Sequence, residues 1–158
     1  MNTAYVALGA NLGDPTATVL AAFGALANIS SSRITQTSSL YRTAPVGIIE
    51  QPAFINAVAR LDTALPPETL LDELLDIEQR FGRIRGERNG PRALDLDLLL
   101  YDDLELDLPR LTLPHPRLHL RAFVLLPLAE IAPHLSLAKR GTIAAWLPAV
   151  ANQGIIRL

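Results

Sequence analysis

The sequence predicts an α+β domain of 158 residues, and three observations support this fold class. Several short segments alternate apolar and other residues with the two-residue period of extended chain. Two longer segments repeat apolar residues at helical spacing, and each begins at a proline. The strand and helix patterns follow one another in the order strand–helix–strand–strand–helix–strand, which is typical of a sheet with packed helices.

The first half of the chain contains three predicted strands and one helix. Asp14-Pro15 is a helix start, because Asp is a favoured N-cap and Pro fits the first helical position. Segments rich in Ser, Thr and β-branched residues, or with strict alternation, are typical of strands. Pro45, Gly47 and Pro52 indicate a long loop before the third strand. The predicted elements are a strand from Thr3 to Gly9, a helix to about Asn28, and strands from Arg33 to Tyr41 and from Phe54 to Leu61.

The second half begins with the clearest helix, which Pro66-Pro67 opens and Gly82 ends. Residues 83–93 contain Gly86, Gly90 and Pro91 and are predicted to form a loop. Loops of this length in compact domains are often functional. The further predicted elements are a strand from Leu94 to Leu100, a hairpin partner around Leu104 to Leu106, a helix from Arg121 to Ile131, a short helix from Thr142 to Val150 and a strand from Ile155 to Leu158.

The order of the first six elements is that of the ferredoxin-like arrangement, two βαβ halves that form an antiparallel sheet with helices on one face. The additional helices after residue 121 would cover the second face. We therefore expect a ferredoxin-like βαββαβ core elaborated into a three-layer α/β/α domain. No linker, repeat or low-complexity segment interrupts the chain, so residues 1–158 are predicted to form one domain.

Composition and charge narrow the functional classes. The net charge of -2 argues against a general nucleic-acid-binding protein, yet five arginines fall between residues 80 and 92. Charge concentrated in this way indicates a small anionic ligand. The absence of cysteine excludes disulfides and thiolate chemistry and fits a reducing compartment. The N-terminus has no signal-peptide pattern and no apolar run is long enough to span a bilayer, so we expect a cytoplasmic protein that does not bind membranes.

The segment "LDLDLLLY" places two carboxylates side by side on a strand. Asp95 and Asp97 are two residues apart, which puts their backbones about 6.5–7 Å apart on the same side. Such a pair suits Mg²⁺, which takes one or two carboxylates and completes its octahedron with water and phosphate oxygens. The spacing alone favours a solvent-facing pair of acids, but Leu99 and Tyr101 on the same predicted face would partly cover it, which makes the two alternatives equal. Strict alternation would give one face to Leu94, Leu96, Leu98 and Leu100, and the other to Asp95, Asp97, Leu99 and Tyr101.

The arginines Arg83, Arg85, Arg88 and Arg92 directly precede this acidic pair. Guanidinium groups bind phosphate oxygens bidentately. Taken alone, these four arginines favour a solvated loop. Next to a pair of carboxylates they favour phosphate chemistry, in which a metal ion and the arginines together hold the anion. No P-loop sequence is present, and "GANLGD" is interpreted as a structural turn rather than a dinucleotide site.

Two further groups have both a structural and a functional interpretation. Phe54 and Asn56 share a predicted strand face, and with Phe123 they could hold a flat heterocycle, the rings stacking and the amide bonding its edge. Membership of the core is the alternative for both phenylalanines, and the sequence alone favours it. His115 lies among arginines and is either polar surface or a donor to phosphate.

The segment "RNGPRALDLDLL", Arg88 to Leu99, resembles the signature of the hydroxymethyldihydropterin pyrophosphokinase family. The resemblance extends to "YVALGANLGD", "SSLYRTAPVG", "QPAFINAV" and "LTLPHPRLHLRAFVLLPLAEIAP". It implies the ferredoxin-like fold, two Mg²⁺ ions, ATP as co-substrate and action as a monomer. It also implies transfer of pyrophosphate from ATP to 6-hydroxymethyl-7,8-dihydropterin in folate biosynthesis, with release of AMP.

The same resemblance implies roles for individual residues. This sequence departs from some members of the family at Asn89 and Pro116, where those members have Trp and Tyr, respectively. The implied sets are Asp95 and Asp97 for the metals; Arg83 and Arg92, with the two acids, for catalysis; Thr43, Val46, Phe54, Asn56 and Phe123 for the pterin; and Glu78, Arg85, Arg88, Arg110, His115 and Arg121 for ATP.

The alternative from another class is a ferredoxin-like module that binds a nucleotide or RNA without chemistry. Such a module needs a basic or aromatic sheet face and has no use for an acidic pair. The net charge of -2 and the pair Asp95 and Asp97 therefore argue against it.

Overall fold

A six-stranded sheet forms the centre of the computed structural model, which describes residues 1–44, 52–82 and 93–158. No helix within these ranges is long and apolar enough to cross a membrane. The strands are β1 (Asn2–Ala10), β2 (Ser32–Thr37), β3 (Tyr41–Thr43), β4 (Phe54–Thr63), β5 (Asp95–Tyr101), β6 (Leu106–Leu108), β7 (Leu111–Leu113), β8 (Ser136–Leu137), β9 (Gly141–Thr142) and β10 (Ile155–Arg157). The helices are α1 (Pro15–Ala27), α2 (Pro67–Arg80) and α3 (Ala122–Ile131), with 3₁₀ helices at Leu118–Leu120 and Ile143–Val150.

The strands of the central sheet are antiparallel, in the order β10-β3-β4-β1-β5, and β2 also pairs with β4. The two longest strands, β1 and β4, lie side by side at the centre. The short strands β6 and β7 pair with each other, as do β8 and β9. Strand β1 therefore lies directly between β4 and β5, although the three strands are far apart in sequence.

Helices pack on both faces of this sheet. One buried cluster joins β1, β4 and β5 to α1 and α2, and it includes Val6, Leu26 and Leu74. The other joins the opposite face to α3 and the 3₁₀ helix Ile143–Val150, and it includes Leu125 and Ile143. Burial of these apolar side chains on both faces is the main favourable contribution to the stability of such a domain.

The helix starts are those that the sequence predicts. Pro15 is the first residue of α1, and the carboxylate of Asp14 accepts a hydrogen bond from the backbone N–H of Ala17 at 3.2 Å. Pro67 is the first residue of α2, and Gly82, with a φ of 101°, follows its end. Both features are local, because a cap and a left-handed glycine depend only on neighbouring backbone.

The single strand predicted from Arg33 to Tyr41 is wrong, because the structure divides it into β2 and β3. Ser38 lies between the two strands. Its N–H donates to the carbonyl of Val58 at 2.8 Å, and its hydroxyl accepts from the N–H of Val58 at 2.9 Å. The side chain thus replaces a backbone acceptor of the ladder, which interrupts the strand.

The hairpin partner predicted around Leu104 to Leu106 is also wrong. The chain turns away after β5, and β6 pairs with β7 rather than with β5. Asp102 has a φ of 49°, and its carboxylate accepts from the N–H of Thr3 at 2.8 Å. This turn at the end of β5 directs the following residues away from the sheet.

The alternation predicted for the end of β5 reverses at Leu99. The register between β1 and β5 shifts by one residue here, as in a β-bulge. Leu100 therefore joins the cluster beneath α3, and Tyr101 joins the cluster beneath α1 and α2. The prediction that Tyr101 shares a face with Asp97 is wrong for this reason.

The carboxylate of Glu130 connects α3 to the edge of the sheet. It accepts hydrogen bonds from the N–H of Ser39 at 3.0 Å, from the Ser39 hydroxyl at 3.0 Å and from the Tyr41 hydroxyl at 2.7 Å, and Arg157 lies 3.5 Å away. Burial raises the pKa of Glu130, but these hydrogen bonds and Arg157 outweigh it, so the pKa lies below its ordinary value. Burial and the same carboxylate raise the pKa of Tyr41 to about 12.

We expect Glu130→Gln to lower the free energy of unfolding by about 2 kcal/mol, because hydrogen bonds to a charged group contribute about 1.5–3 kcal/mol. The lowered pKa means that the unfolded chain binds the proton first as the pH falls. The wild type should therefore lose this stabilisation as the pH falls below the ordinary glutamate pKa, whereas the variant should not show that loss. Urea unfolding at several pH values, followed by the fluorescence of Trp146, measures both effects; this is the only Trp in the chain.

The control for this prediction is Glu105→Gln. The carboxylate of Glu105 lies 3.9 Å from Lys139, and both side chains are exposed. We expect its change in unfolding free energy to stay below about 0.5 kcal/mol. Equal stability of the Glu130 and Glu105 variants would contradict the role given to Glu130.

Candidate active site

A cavity of about 530 Å³ lies on the face of the sheet that α3 covers. Its volume is within the range of small-molecule sites, about 300–1,000 Å³. Seven of the residues that line it are predicted site residues, from β3, β4, β5 and the start of α3. They are Thr43, Phe54, Asn56, Asp95, Asp97, Arg121 and Phe123, and Ala7, Leu8, Gly9 and Ala44 complete the lining.

The register of the sheet explains how these residues meet. Asn56 of β4 is the partner of Gly9 on β1, and Gly9 is the partner of Asp95 on β5. Neighbouring strands are about 4.8 Å apart, so the backbones of Asn56 and Asp95 are separated by about 10 Å. Ala7 is the corresponding partner of Asp97. Because Ala7 and Gly9 have small side chains or none, the space between the amide and the carboxylates stays open.

Aromatic side chains from two different elements line this space. Phe54 is the first residue of β4, and Phe123 lies in the first turn of α3, with the guanidinium of Arg121 5.5 Å from its ring centroid. Both rings are only partly buried. This exposure, together with the position of both residues in the lining, argues against the alternative that the two rings serve only as core.

Thr43 contributes a buried hydroxyl to the cavity. The residue is 6% exposed, and its Oγ1 has no hydrogen-bond partner among the residues that the structure describes. Buried hydroxyl groups are normally paired, and an unpaired one costs free energy. A ligand with a hydrogen-bonding edge would satisfy this group.

Asp95 and Asp97 lie on the cavity side of β5 and are partly exposed, whereas Leu96 between them is buried. The N–H of Leu96 donates to the carboxylate of Glu78 at 2.8 Å. Over the described ranges, no group of three or more His, Asp or Glu could hold a metal ion. A pair of carboxylates beside open space still fits Mg²⁺, because this ion keeps most of its ligands as water and phosphate oxygens.

A second cavity, of about 280 Å³, shares Asp97 with the lining of the first, and Arg110 and His115 also line it. Nδ1 of His115 accepts from the N–H of Arg117 at 3.2 Å, so the neutral ring carries its proton on Nε2. Burial lowers the pKa of His115, Asp97 opposes this shift, and Arg121 and Arg117 lower the pKa further. The neutral ring is therefore a hydrogen-bond donor through Nε2. The other residues of this cavity are Leu71, Leu96, Leu98, Pro109, Leu111, Thr112 and Pro116.

The remaining predicted site residues differ in how they lie relative to the two cavities. Arg110 is ion-paired with Asp72 of α2 at the edge of the second cavity. Glu78 is 5% exposed and lies outside both linings, where it supports β5 rather than facing a cavity. Arg121, predicted for ATP, lines the first cavity together with the residues predicted for the pterin. Val46, Arg83, Arg85, Arg88, Asn89 and Arg92 lie outside the described residues, so the predictions for them remain predictions.

Gly9 is a residue of the cavity that was not predicted from the sequence. "GANLGD" is interpreted above as a turn without a role, yet Gly9 lies between Asn56 and Asp95. A β carbon at this position would lie 3.6 Å from Oδ1 of Asn56, inside the cavity. The available signal is a glycine at the end of an apolar strand, but only the strand register shows what it faces.

Comparison with known proteins identifies the family. Residues 5–133 match the model of the 7,8-dihydro-6-hydroxymethylpterin-pyrophosphokinase family. The chain belongs to this family. The 2-amino-4-hydroxy-6-hydroxymethyldihydropteridine pyrophosphokinase of Pseudomonas aeruginosa is 47% identical over 154 residues, which is 98% of this chain and 95% of the relative. That of Haemophilus influenzae is 44% identical over 158 residues, 100% of this chain and 99% of the relative. The resemblance noted in the sequence is confirmed, and the chain is a pyrophosphokinase.

Solved structures share the fold of this pyrophosphokinase. Plasmodium falciparum HPPK-DHPS with pteroate has a TM-score of 0.76 at 16% identity, covering 94% of this chain and 42% of that chain. An HPPK-DHPS in complex with substrates has a TM-score of 0.78 at 14% identity, and the match covers 99% of this chain and 46% of that chain. This chain spans less than half of each of those two chains. At such identities the likeness shows the mixed helix-and-sheet fold alone.

We expect Glu78→Ala to lower the free energy of unfolding by about 2 kcal/mol, because the buried N–H of Leu96 loses its acceptor. The turnover rate should fall as well, since Leu96 holds the backbone between Asp95 and Asp97. Urea unfolding and a turnover assay measure the two effects. Asp76→Ala is the control on the same helix, because Asp76 is exposed and, among the described residues, its ion pair is the i,i+4 contact with Arg80 at 3.2 Å. A Glu78 variant as stable and active as this control would refute the supporting role.

Proposed function

We propose that the chain transfers the pyrophosphoryl group of ATP to the hydroxymethyl group of 6-hydroxymethyl-7,8-dihydropterin, releasing AMP, as a step of folate biosynthesis. One observation carries the proposal. A single cavity is lined by an amide, two aromatic rings and a pair of carboxylates, and Asn56 and Asp95 lie on opposite sides of Gly9 in the sheet. The family match gives the substrates whose chemistry this arrangement suits.

The pterin would occupy the first cavity. Its flat ring fits between Phe54 and Phe123, and the amide of Asn56 offers a donor and an acceptor to the ring edge. The unpaired hydroxyl of Thr43 is a further hydrogen-bonding group for that edge, and the resemblance adds Val46. The separation of about 10 Å between the backbones of Asn56 and Asp95 leaves room for the ring, with its hydroxymethyl group toward the carboxylates.

ATP would lie beside Asp97, which lines both cavities. Arg110 and His115 in the second cavity and Arg121 in the first provide donors for phosphate oxygens. The resemblance adds Arg83 and Arg92 as catalytic groups and Arg85, Arg88 and Glu78 as nucleotide contacts.

Asp95 and Asp97 would hold Mg²⁺, as two ions by the family resemblance. When bound, Mg²⁺ neutralises phosphate charge and lowers the pKa of the attacking hydroxyl. The hydroxymethyl oxygen attacks the β-phosphorus in line and its proton passes to solvent. The bond from that phosphorus to the oxygen bridging to the α-phosphate breaks, and AMP leaves. The carboxylates fix where this transfer occurs, and the arginines hold the charge that the transfer redistributes.

We also propose the finer description of the architecture. The order β2-β4-β1-β5, with α1 and α2 on one face and α3 on the other, supports a ferredoxin-like core in a three-layer α/β/α arrangement. Residues 1–158 would act as one domain and as a monomer, which the resemblance supports. A cytoplasmic location is supported by the cysteine-free sequence.

Product analysis tests the activity. Incubation of the protein with MgATP and 6-hydroxymethyl-7,8-dihydropterin should yield AMP and the pterin diphosphate in equal amounts. A chelator should stop the reaction, and excess Mg²⁺ should restore it. Binding of ATP without AMP formation would instead support the alternative of a module without chemistry, and would refute the proposal.

We expect Asp97→Ala to lower kcat/KM on the order of 10³-fold, because loss of a metal ligand removes several kcal/mol of transition-state stabilisation. The fold should remain intact, because Asp97 is partly exposed and is not part of either apolar cluster. Steady-state kinetics and circular dichroism measure the two quantities. Asp103→Ala, at an exposed acid in the turn after β5, is the control and should retain wild-type activity. A near-wild-type rate for Asp97→Ala would rule out the metal assignment.

A further inference from the structure

Gln153 lies beside the start of α3, beyond the residues that the family model matches. Its side-chain oxygen accepts a hydrogen bond from the N–H of Ala122 at 2.8 Å, and its side-chain nitrogen donates to the carbonyl of Leu120 at 3.0 Å. The amide thus satisfies one of the N–H groups that the first turn of a helix leaves free. Arg121 lies between these two bonded positions and Phe123 follows them, and both side chains line the first cavity.

The residues that follow Gln153 contact β3 and Ala44, which belong to another part of the lining of the same cavity. The carbonyl of Gly154 accepts from the N–H of Ala44 at 3.2 Å, and β10 pairs with β3 so that Ile155 is the partner of Thr43. Ala44 and Thr43 both line the cavity. Gly154 has a φ of 63°, a conformation that favours glycine, and it turns the chain from one wall to the other.

The distance between these two attachments is short. Gln153 and Ile155 are separated by two peptide links, so their α carbons are at most about 7 Å apart. Arg157 adds a third attachment, because its Nε donates to the Ser39 hydroxyl at 3.2 Å and its Nη2 lies 3.5 Å from Glu130. The C-terminal segment therefore connects α3 to β3 directly behind the cavity that they line.

We propose that Gln153 is a positioning residue for the pterin, and that it acts by holding the start of α3 at a set distance from β3. Stacking requires ring centroids within about 4.5–7 Å, so a ring held between Phe54 and Phe123 depends on the separation of their elements. The inference rests on the proposed function, because it places the pterin in this cavity. Of the residues proposed for ATP, Arg121 lies at the start of α3, whereas Arg110 and His115 line the second cavity, where the described chain shows no hydrogen bond to Gln153. We therefore expect ATP binding to depend on Gln153 less than pterin binding does.

The test compares two variants of Gln153 with a control in the full-length protein. Gln153→Met keeps the length of the side chain and removes both hydrogen bonds. Gln153→Glu keeps an acceptor for Ala122, and a negative charge is favourable at a helix start. Gln36→Met replaces an exposed glutamine on β2, away from the cavity linings, and is the control.

We expect Gln153→Met to raise KM for the pterin about tenfold while KM for ATP changes less than about twofold. Gln153→Glu should stay within about threefold of the wild type for both substrates, and Gln36→Met should match the wild type. Thermal unfolding of each variant separates positioning from general destabilisation.

Other outcomes overturn the inference. An unchanged KM for the pterin in Gln153→Met, or an equal rise for both substrates together with a lower Tm, would show that Gln153 does not act on the pterin. Equal impairment of the Met and Glu variants would show that the bond to Ala122 is not the cause. In all three cases AMP formation by the wild type leaves the proposed function standing; absence of AMP from the wild type would refute both.

Discussion

The register of β1 between β4 and β5 is the constraint on which the site depends. Because side chains alternate along a strand, a shift of one residue would turn Asn56 or the two aspartates to the opposite face. Val6 and Leu8 of β1 are buried against α1 and α2, so a shifted register would expose them. Burial on one face of the sheet therefore determines which polar groups meet on the other.

The second wall of the cavity comes from another layer, and polar contacts attach it to the sheet. Apolar packing of α3 resists its separation from the sheet, but it is non-directional and defines position along the sheet only weakly. Glu130 at one end of α3 and Gln153 at the other bond to specific backbone and hydroxyl groups. Hydrogen bonds have narrow distance and angle preferences, so these two contacts specify where Phe123 and Arg121 stand.

Charge is arranged so that the site stays suited to a polyphosphate while the protein as a whole is slightly acidic. The carboxylates of Asp95 and Asp97 lie beside open space, and His115 is neutral with Nε2–H as a donor. Metal ions held by the acids would let two anionic partners, protein and triphosphate, approach each other. Asp97 lines both cavities, so it would lie beside both proposed substrates.

The sequence by itself determined the local features: the caps of α1 and α2, the helical and extended periods, and the placement of Asp95 and Asp97 on one side of a strand. Its resemblance to the family predicted the activity. Only the tertiary structure decided the division of β2 from β3, the separate β6–β7 pair, the reversal at Leu99 and the position of Gly9 beside Asn56. It also decided the role of Gln153, which bonds a residue 31 positions away in the chain. Periods and caps depend on adjacent backbone, whereas register, bulges and contacts between layers depend on residues that only folding brings together.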